Sequence, residues 1–279
     1  MFGSKEFMKQ TIIFLDGQLL TANEKRLVQL LPWRLRGRGV FETILVLNGK
    51  IVFLRQHLGR LFEGLLFLKL KSPYSKRQLE RILYWAVGVN AYTHARLRLT
   101  VWRDKKGPHT TVVVTSIAKR YPKSFKICVA AKRVKTASPA QRIKSIEYKF
   151  FADAYKAAQK RGCDESVILD KQGEVVEACR SNIFIVKRSV VYTPQLKSGC
   201  LNGIVRQVVL ALAHRTGLKI KQTRLGLEDL CSADEIFLTS SIIGVMPVHR
   251  LRGQKEYKIK AGPTTVKIKR LYETSILEE

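Results

Sequence analysis

CDESVILDKQGEVVEACRSNIFIVKRSVVYTPQLKSGCLNGIVR, residues Cys163 to Arg206, is the stretch on which the reading of the chain turns. It opens with the apolar run Val167-Ile168-Leu169 and a turn at Asp170-Lys171-Gln172-Gly173, followed by Val175-Val176-Glu177. After a polar break come Ile183-Phe184-Ile185-Val186, a second tight turn, and Val190-Val191-Tyr192-Thr193-Pro194. β-Branched and aromatic runs of strand length, punctuated by turn residues, predict a meander of hairpins. Leu201-Asn202-Gly203-Ile204 then opens a helical pattern running to His214. Asn202 is its expected cap, and Gly203 lets another group come close to the first-turn N–H groups.

Such a helix start attracts anions, because the unbonded N–H groups and the helix dipole both favour negative charge. Glu177 is a carboxylate on an otherwise apolar strand of the same unit. Alone, the glycine reads as a turn and the acid as a solvent-facing residue. Their order within one unit points to a site.

Outward from this stretch, Phe125 to Ala131 reads as a strand, followed by a polar connection to Ile143 and a helix ending near Gly162. Downstream, Leu218-Lys219-Ile220 begins a strand, Leu227 to Asp234 is a short helix, Glu235 to Ser241 is a strand ending in hydroxyls, and Gly262 to Tyr272 is a terminal helix. Upstream, Thr11 to Asp16 is a strand turning at Gly17. Gly39 to Leu47 is another, turning at Asn48-Gly49 into Ile51 to Leu54, and Asn-Gly between apolar runs is a strong hairpin signal. Leu58, Leu61, Phe62, Leu65 and Leu68 line one face of a helix that carries His57, a packing or hydrogen-bonding residue, and Arg60. Ser75-Lys76-Arg77-Gln78 is a capping box opening the next helix through Trp85, and Arg96 to Trp102 and Thr110 to Thr115 are strands. Strands, helices and strands in that order predict an α+β N-terminal domain over 1–117, a linker over 118–124 and a C-terminal domain over 125–279.

The chain has 279 residues, 46% of them hydrophobic, and no apolar run approaches membrane-spanning length. Its start, MFGSKEFMKQ, lacks the apolar core of a signal peptide. Cys128, Cys163, Cys179, Cys200 and Cys231 are scattered, with neither metal-site nor disulfide spacing, which predicts no metal and a reducing cytoplasm. Lys and Arg number 51 against 22 Asp and Glu, a formal charge of +29. That charge attracts anionic small molecules and polyanions. The basic residues are spread through every segment without a nucleic-acid motif, so non-specific adhesion at low salt is expected and specific nucleic-acid recognition is not.

The pieces Asp164-Glu165, Gly173 to Glu177, Ser181-Asn182-Ile183-Phe184, Tyr192-Thr193-Pro194 and Asn202 to Arg206 resemble, in order and spacing, the fold-type IV pyridoxal-phosphate enzymes. That group comprises branched-chain aminotransferases, D-amino-acid aminotransferases and aminodeoxychorismate lyases. Gly39 leading into Phe41-Glu42-Thr43 and the His57-x-x-Arg60-Leu61 helix extend the likeness over nearly the whole chain. The resemblance implies a two-domain α+β architecture: a smaller N-terminal α/β sandwich-like domain, a larger C-terminal β-barrel-like domain with flanking helices, and a homodimer. It implies pyridoxal 5'-phosphate as cofactor, with Lys144 as the Schiff-base lysine; Lys149 falls inside the helix and fits worse. Arg60, the Ile204 and Val205 amides, and Ser240 and Ser241 are implied to take the phosphate, and Glu177 to face the ring nitrogen.

These residue types suit that chemistry. A carboxylate against the ring keeps its nitrogen protonated, N–H groups and a guanidinium cradle a phosphate, and a partly neutral lysine both bonds the aldehyde and moves protons. The Phe41-Glu42-Thr43, Lys144-x-x-x-Tyr148 and Thr239-Ser240-Ser241 wording looks most like the lyase branch. The expected reaction is therefore conversion of 4-amino-4-deoxychorismate to 4-aminobenzoate and pyruvate. An aminotransferase of branched-chain or D-amino acids is the alternative, and a diverged, non-enzymatic, polyanion-binding relative is the alternative of another class. Glu147 replaces the family's usual Asn, Arg36 an aromatic and Arg38 an Asp. Arg36, Arg98, Arg103 and Tyr148 are candidates for binding an anionic substrate.

Overall fold

The computed structural model describes residues 11–117, 121–134 and 142–279. The chain's first ten residues, part of the expected linker and part of the polar connection before Ile143 lie outside them. Two compact units emerge. One is Met1–Ala118 with Ser145–Glu147, and the other is Lys119–Lys144 with Tyr148–Glu279.

In unit one the elements are β1 (Thr11–Leu15), β2 (Gln18–Ala22), α1 (Glu24–Gln29), β3 (Arg38–Leu47), β4 (Lys50–Ile51), α2 (Leu54–Phe67), α3 (Lys76–Asn90), β5 (His94–Asp104) and β6 (Gly107–Ser116). The strands form one antiparallel sheet in the order β2-β1-β6-β5-β3-β4. The Asn48-Gly49 turn closes the β3–β4 hairpin with both residues in the left-handed region, φ 51° and 77°. The strand expected to reach Leu54 stops at Ile51, because Leu54 already begins α2. Leu58, Leu61 and Leu65 of α2 and Leu79, Leu83 and Ala86 of α3 are buried, as their spacing predicts. Gln78 N donates to Ser75 Oγ and Ser75 N to Gln78 Oε1, so the capping box forms. Alternation along β5 buries Leu97, Leu99 and Val101 and leaves Arg96 and Arg98 half-buried on the other face.

One addition had no local signal. Ser145 bridges to Val40, and Ile146 N donates to Gly39 O. Residues 145–147, within the expected C-terminal stretch, thereby extend the sheet of unit one.

Unit two holds β7 (Phe125–Val129), α4 (Lys149–Lys160), β8 (Glu165–Leu169), β9 (Val175–Ala178), β10 (Asn182–Lys187), β11 (Val190–Pro194), α5 (Ile204–Arg215), β12 (Ile220–Thr223), α6 (Leu227–Cys231), β13 (Glu235–Ser240), β14 (Gly244–Arg252), β15 (Glu256–Lys258) and α7 (Pro263–Leu277). The sheet order is β12-β11-β10-β13-β14-β7-β8-β9, with β15 on β14. The hairpins β8–β9 and β10–β11 form as expected, but they do not continue as a meander. β10 pairs with β13, about fifty residues away in sequence, rather than with β9. The cross-strand rings Phe184 and Phe237 stack there at 4.8 Å, fully buried. Such a pair contributes about 1 kcal/mol beyond its area.

The sheet curls until its ends nearly meet. Val175 N donates to Leu225 O, just past β12, and Glu174 bridges to Gly226. Phe125, Ile127, Val167, Val175, Ile183, Ile236 and Val248 fill the interior from most of the strands, so the barrel-like form has one apolar core. Helix α4 covers the outside of β8, while α5 and α7 cover β13 and β14. Among the described residues no helix is long and apolar enough to cross a membrane.

Candidate active site

In unit one a carboxylate lies at the centre of a buried charged cluster. Glu42, on β3, is 1% exposed. His57 Nδ1 lies 2.7 Å from its Oε2, and Arg60 forks onto it with Nε–Oε1 at 2.8 Å and Nη2–Oε2 at 2.6 Å. Burial raises the Glu42 pKa, but the Arg60 guanidinium and hydrogen bonds from Arg60 and His57 outweigh it and hold the carboxyl at about 2. In the sequence Glu42 stands within the Phe41-Glu42-Thr43 motif without a role of its own. The signal was available, since VFETILVL is an apolar strand interrupted by one acid.

Because the folded value lies below the ordinary 4.5, this ionised cluster contributes stability above pH 4.5 and loses it as pH falls toward 2. Urea titration should show wild type losing about 2 kcal/mol more than Glu42→Gln between pH 6 and pH 3. Equal losses would contradict the cluster.

Of the arginines expected to meet substrate, Arg98 and Arg103 fall on β5 and Arg36 lies just before β3. Arg36 and Arg103 are exposed, and Arg98 is half-buried opposite Thr43. Arg38 is exposed and pairs directly with Arg103 across β3–β5, a like-charge juxtaposition that favours an anion nearby. The flanking glycines are forced: a Cβ at Gly37 would lie 2.1 Å from Arg103 O, and one at Gly39 would lie 2.4 Å from Trp102 Cβ. Glu147 is exposed.

In unit two, Lys144 is half-buried with Nζ 5.7 Å from the Tyr148 ring centroid. Tyr148 stacks on Phe151 and donates its hydroxyl to Cys179 O. Burial holds that phenol well above its ordinary range, so it stays a proton donor. Lys149 begins α4 and is exposed, paired with Asp153.

Two residues before Cys179 lies Glu177, on β9 and 8% exposed. Its Oε2 accepts from Leu201 N at 3.2 Å and from Asn182 Nδ2 at 3.4 Å. The same Asn182 nitrogen donates to Leu201 O at 2.8 Å. Asn182 Oδ1 lies 2.0 Å from where a Cβ on Gly203 would stand, so only glycine fits. Gly203, not Asn202, is the N-cap of α5 and brings no side chain to it. The Asn202 side chain instead accepts from Arg206 Nη1. The first-turn amides of Ile204 and Val205 therefore have neither an intrahelical acceptor nor a side-chain cap.

Asn182 is also the cross-strand partner of Thr239, whose buried Oγ1 has no hydrogen-bond partner among the described residues. Ser240 and Ser241 follow, half-buried at the β13–β14 turn. One asparagine thus gathers Glu177, the α5 N-terminus and the end of β13. Its role was not legible, because each of its partners is distant in sequence.

Glu165 likewise stands in the sequence only as part of a motif. It is 3% exposed and accepts from Ser181 Oγ; burial, partly offset by Arg180, raises it to about 7. Cys128, Cys179 and Cys200 are pushed up to about 12 by burial, so none is a thiolate at neutral pH.

The donor set at α5 and β13, a glycine-only opening and an orphaned hydroxyl fit a phosphate-bearing cofactor. The family model for class IV aminotransferases matches residues 39–251, and the chain belongs to that family. Pyridoxal 5'-phosphate is the family's cofactor. A putative branched-chain-amino-acid aminotransferase of Methanocaldococcus jannaschii is 30% identical, over 92% of this chain and 93% of its own. A D-alanine aminotransferase of Listeria monocytogenes is 30% identical, over 87% and 88%. Among solved structures, the branched-chain aminotransferase of Thermoproteus uzoniensis with norvaline matches with a TM-score of 0.85 and 28% identity, covering 97% and 96% of the two chains. A putative 4-amino-4-deoxychorismate lyase of Legionella pneumophila shares the fold, with a TM-score of 0.79 and 21% identity over 85% and 91%.

Proposed function

We propose that the chain transfers an amino group from a 2-amino acid to a 2-oxo acid, using pyridoxal 5'-phosphate held in unit two. One observation carries this reading: the buried Glu177 carboxylate is fixed by Leu201 N–H and Asn182 beside the glycine that opens α5. The expected lyase reaction gives way to its alternative, because the curated relatives above are named as aminotransferases.

When bound, the cofactor supplies an electron-withdrawing ring that lets the substrate Cα release its proton. The protein does the rest. Glu177 holds a proton on the ring nitrogen, since a fixed anion there favours the charged ring. Lys144 would hold the aldehyde carbon and carry a proton to and from the substrate Cα, with the Tyr148 ring, fixed by its hydroxyl's bond to Cys179 O, beside it. The Ile204 and Val205 amides, with Ser240 and Ser241, hold the phosphate; Arg60 is proposed as a further phosphate ligand on the family resemblance alone, its fork lying on Glu42 within unit one. Arg103 and Arg38, juxtaposed across β3–β5, support an acidic substrate or acceptor, with Arg36 just before β3, whereas Arg98 lies five residues from Arg103 and faces the other side of the sheet.

Pairing of two copies is supported by apolar side chains left exposed on α2 and α3, among them Leu66 at 79% and Tyr84 at 48%. A reducing interior is supported by five free cysteines.

The test is a product assay. Incubation with L-valine, L-leucine or D-alanine should yield the matching 2-oxo acid only when a 2-oxo acid acceptor is present. Pyruvate released from aminodeoxychorismate without any acceptor would restore the lyase. Turnover of neither would leave the polyanion-binding reading.

A further inference from the structure

Arg206 stands in the first turn of α5 and is 1% exposed. Its Nη2 donates to Pro194 O at 3.1 Å and to Gln222 Oε1 at 2.7 Å, and its Nη1 to Asn202 Oδ1 at 3.4 Å. Its Nε is buried without a hydrogen-bond partner among the described residues. Every one of these acceptors is neutral, and among the described residues no carboxylate forms a contact ion pair with it; Glu177 acts on it only through its field. Burying a guanidinium with no anion in contact is strongly unfavourable. A cation in the first turn also faces the positive end of the helix dipole, a second penalty. The hydrogen bonds to β11, β12 and Asn202 offset part of this, but a neutral amide could make such bonds without either electrostatic cost.

Both penalties are relieved by the same event: an anion seated at the α5 N-terminus. Arg206 is also tied to that place mechanically. It grips Asn202, which lies between Leu201, the donor to Glu177, and Gly203, the helix cap.

We infer that Arg206 is a positioning residue whose buried, unpaired charge makes the α5 N-terminus select a doubly charged phosphate monoester over the same compound without phosphate. This rests on the cofactor reading above. The ligand need not touch Arg206, which acts through the Asn202–Gly203 loop and through its field in a low-dielectric interior. The residue is then mismatched in the empty protein and matched in the loaded one.

The probes are pyridoxal 5'-phosphate and pyridoxal, which share an aldehyde and differ in the phosphate. Each is titrated by absorbance into the full chain freed of cofactor, as wild type, Arg206→Gln and Arg206→Lys. Arg206→Gln should cut the preference for the phosphorylated form at least tenfold, leaving pyridoxal affinity within about threefold of wild type. Arg206→Lys, which keeps the charge and loses the fork, should hold the preference within about threefold even if both affinities fall. Should Arg206→Gln fail to fold, Arg206→Met, uncharged and of similar length, replaces it with the same expected result. Equal weakening of both compounds in Arg206→Gln would mark a merely structural role, and an unchanged preference would likewise overturn the inference. If wild type binds neither compound, the cofactor reading itself falls and this one with it. If wild type binds the phosphate form and the Gln variant keeps the preference, only this inference fails.

Discussion

Lys144→Ala should lower amino transfer by at least about a thousandfold while leaving the fold and the phosphate site intact. Lys144 is half-buried, and its Nζ lies 5.7 Å from the Tyr148 ring centroid. Truncating a half-buried side chain outside the apolar core should cost little stability. In the proposed reaction it does two jobs, anchoring the cofactor and moving the Cα proton, and no neighbour replaces both. Lys149, the nearby alternative, is exposed at the start of α4 and paired with Asp153. The discriminating comparison is therefore Lys149→Ala, which should keep turnover within about threefold of wild type. Activity surviving in Lys144→Ala and lost in Lys149→Ala would move the chemistry to the other lysine.

The second large effect is expected at Glu177. Glu177→Gln keeps an oxygen to accept from Leu201 N–H and Asn182, so the strand and loop should stay in place. What disappears is the negative charge, and with it the bias toward a protonated ring. A loss of about a hundredfold in kcat, near 3 kcal/mol of transition-state stabilisation, is the expected result, with the cofactor still bound. Steady-state kinetics beside an absorbance measurement of bound cofactor separates the two quantities. Loss of cofactor with unchanged kcat on the remaining holoenzyme would show that Glu177 only builds the pocket.

What the sequence made legible follows the range of the interaction that writes it. The Asn48-Gly49 hairpin, the Ser75–Gln78 capping box and the leucine face of α2 are local, with every partner within a few residues, and each forms as read. β14 was not seen as a strand. Val245-Met246-Pro247-Val248-His249 breaks the alternation with a proline, and the strand exists because β13 and β7 flank it. The expected meander failed for the same reason: a hairpin is specified locally, but the choice of β13 over β9 as the partner of β10 is made by burial of a shared core. Glu177 stood out as an acid in an apolar strand. Glu42 meets the same criterion. Asn182 and Arg206 carried no signal beyond their place in a motif, since their importance lies in partners on four other segments. Local chemistry is written in the sequence, whereas hubs become visible only when distant segments are brought together.

The most direct test of the central claim is borohydride reduction of the purified chain loaded with pyridoxal 5'-phosphate, followed by peptide mapping. The account predicts one stable phosphopyridoxyl addition, on the peptide carrying Lys144. A label at any other lysine, or none on a protein that has bound the cofactor, would contradict it.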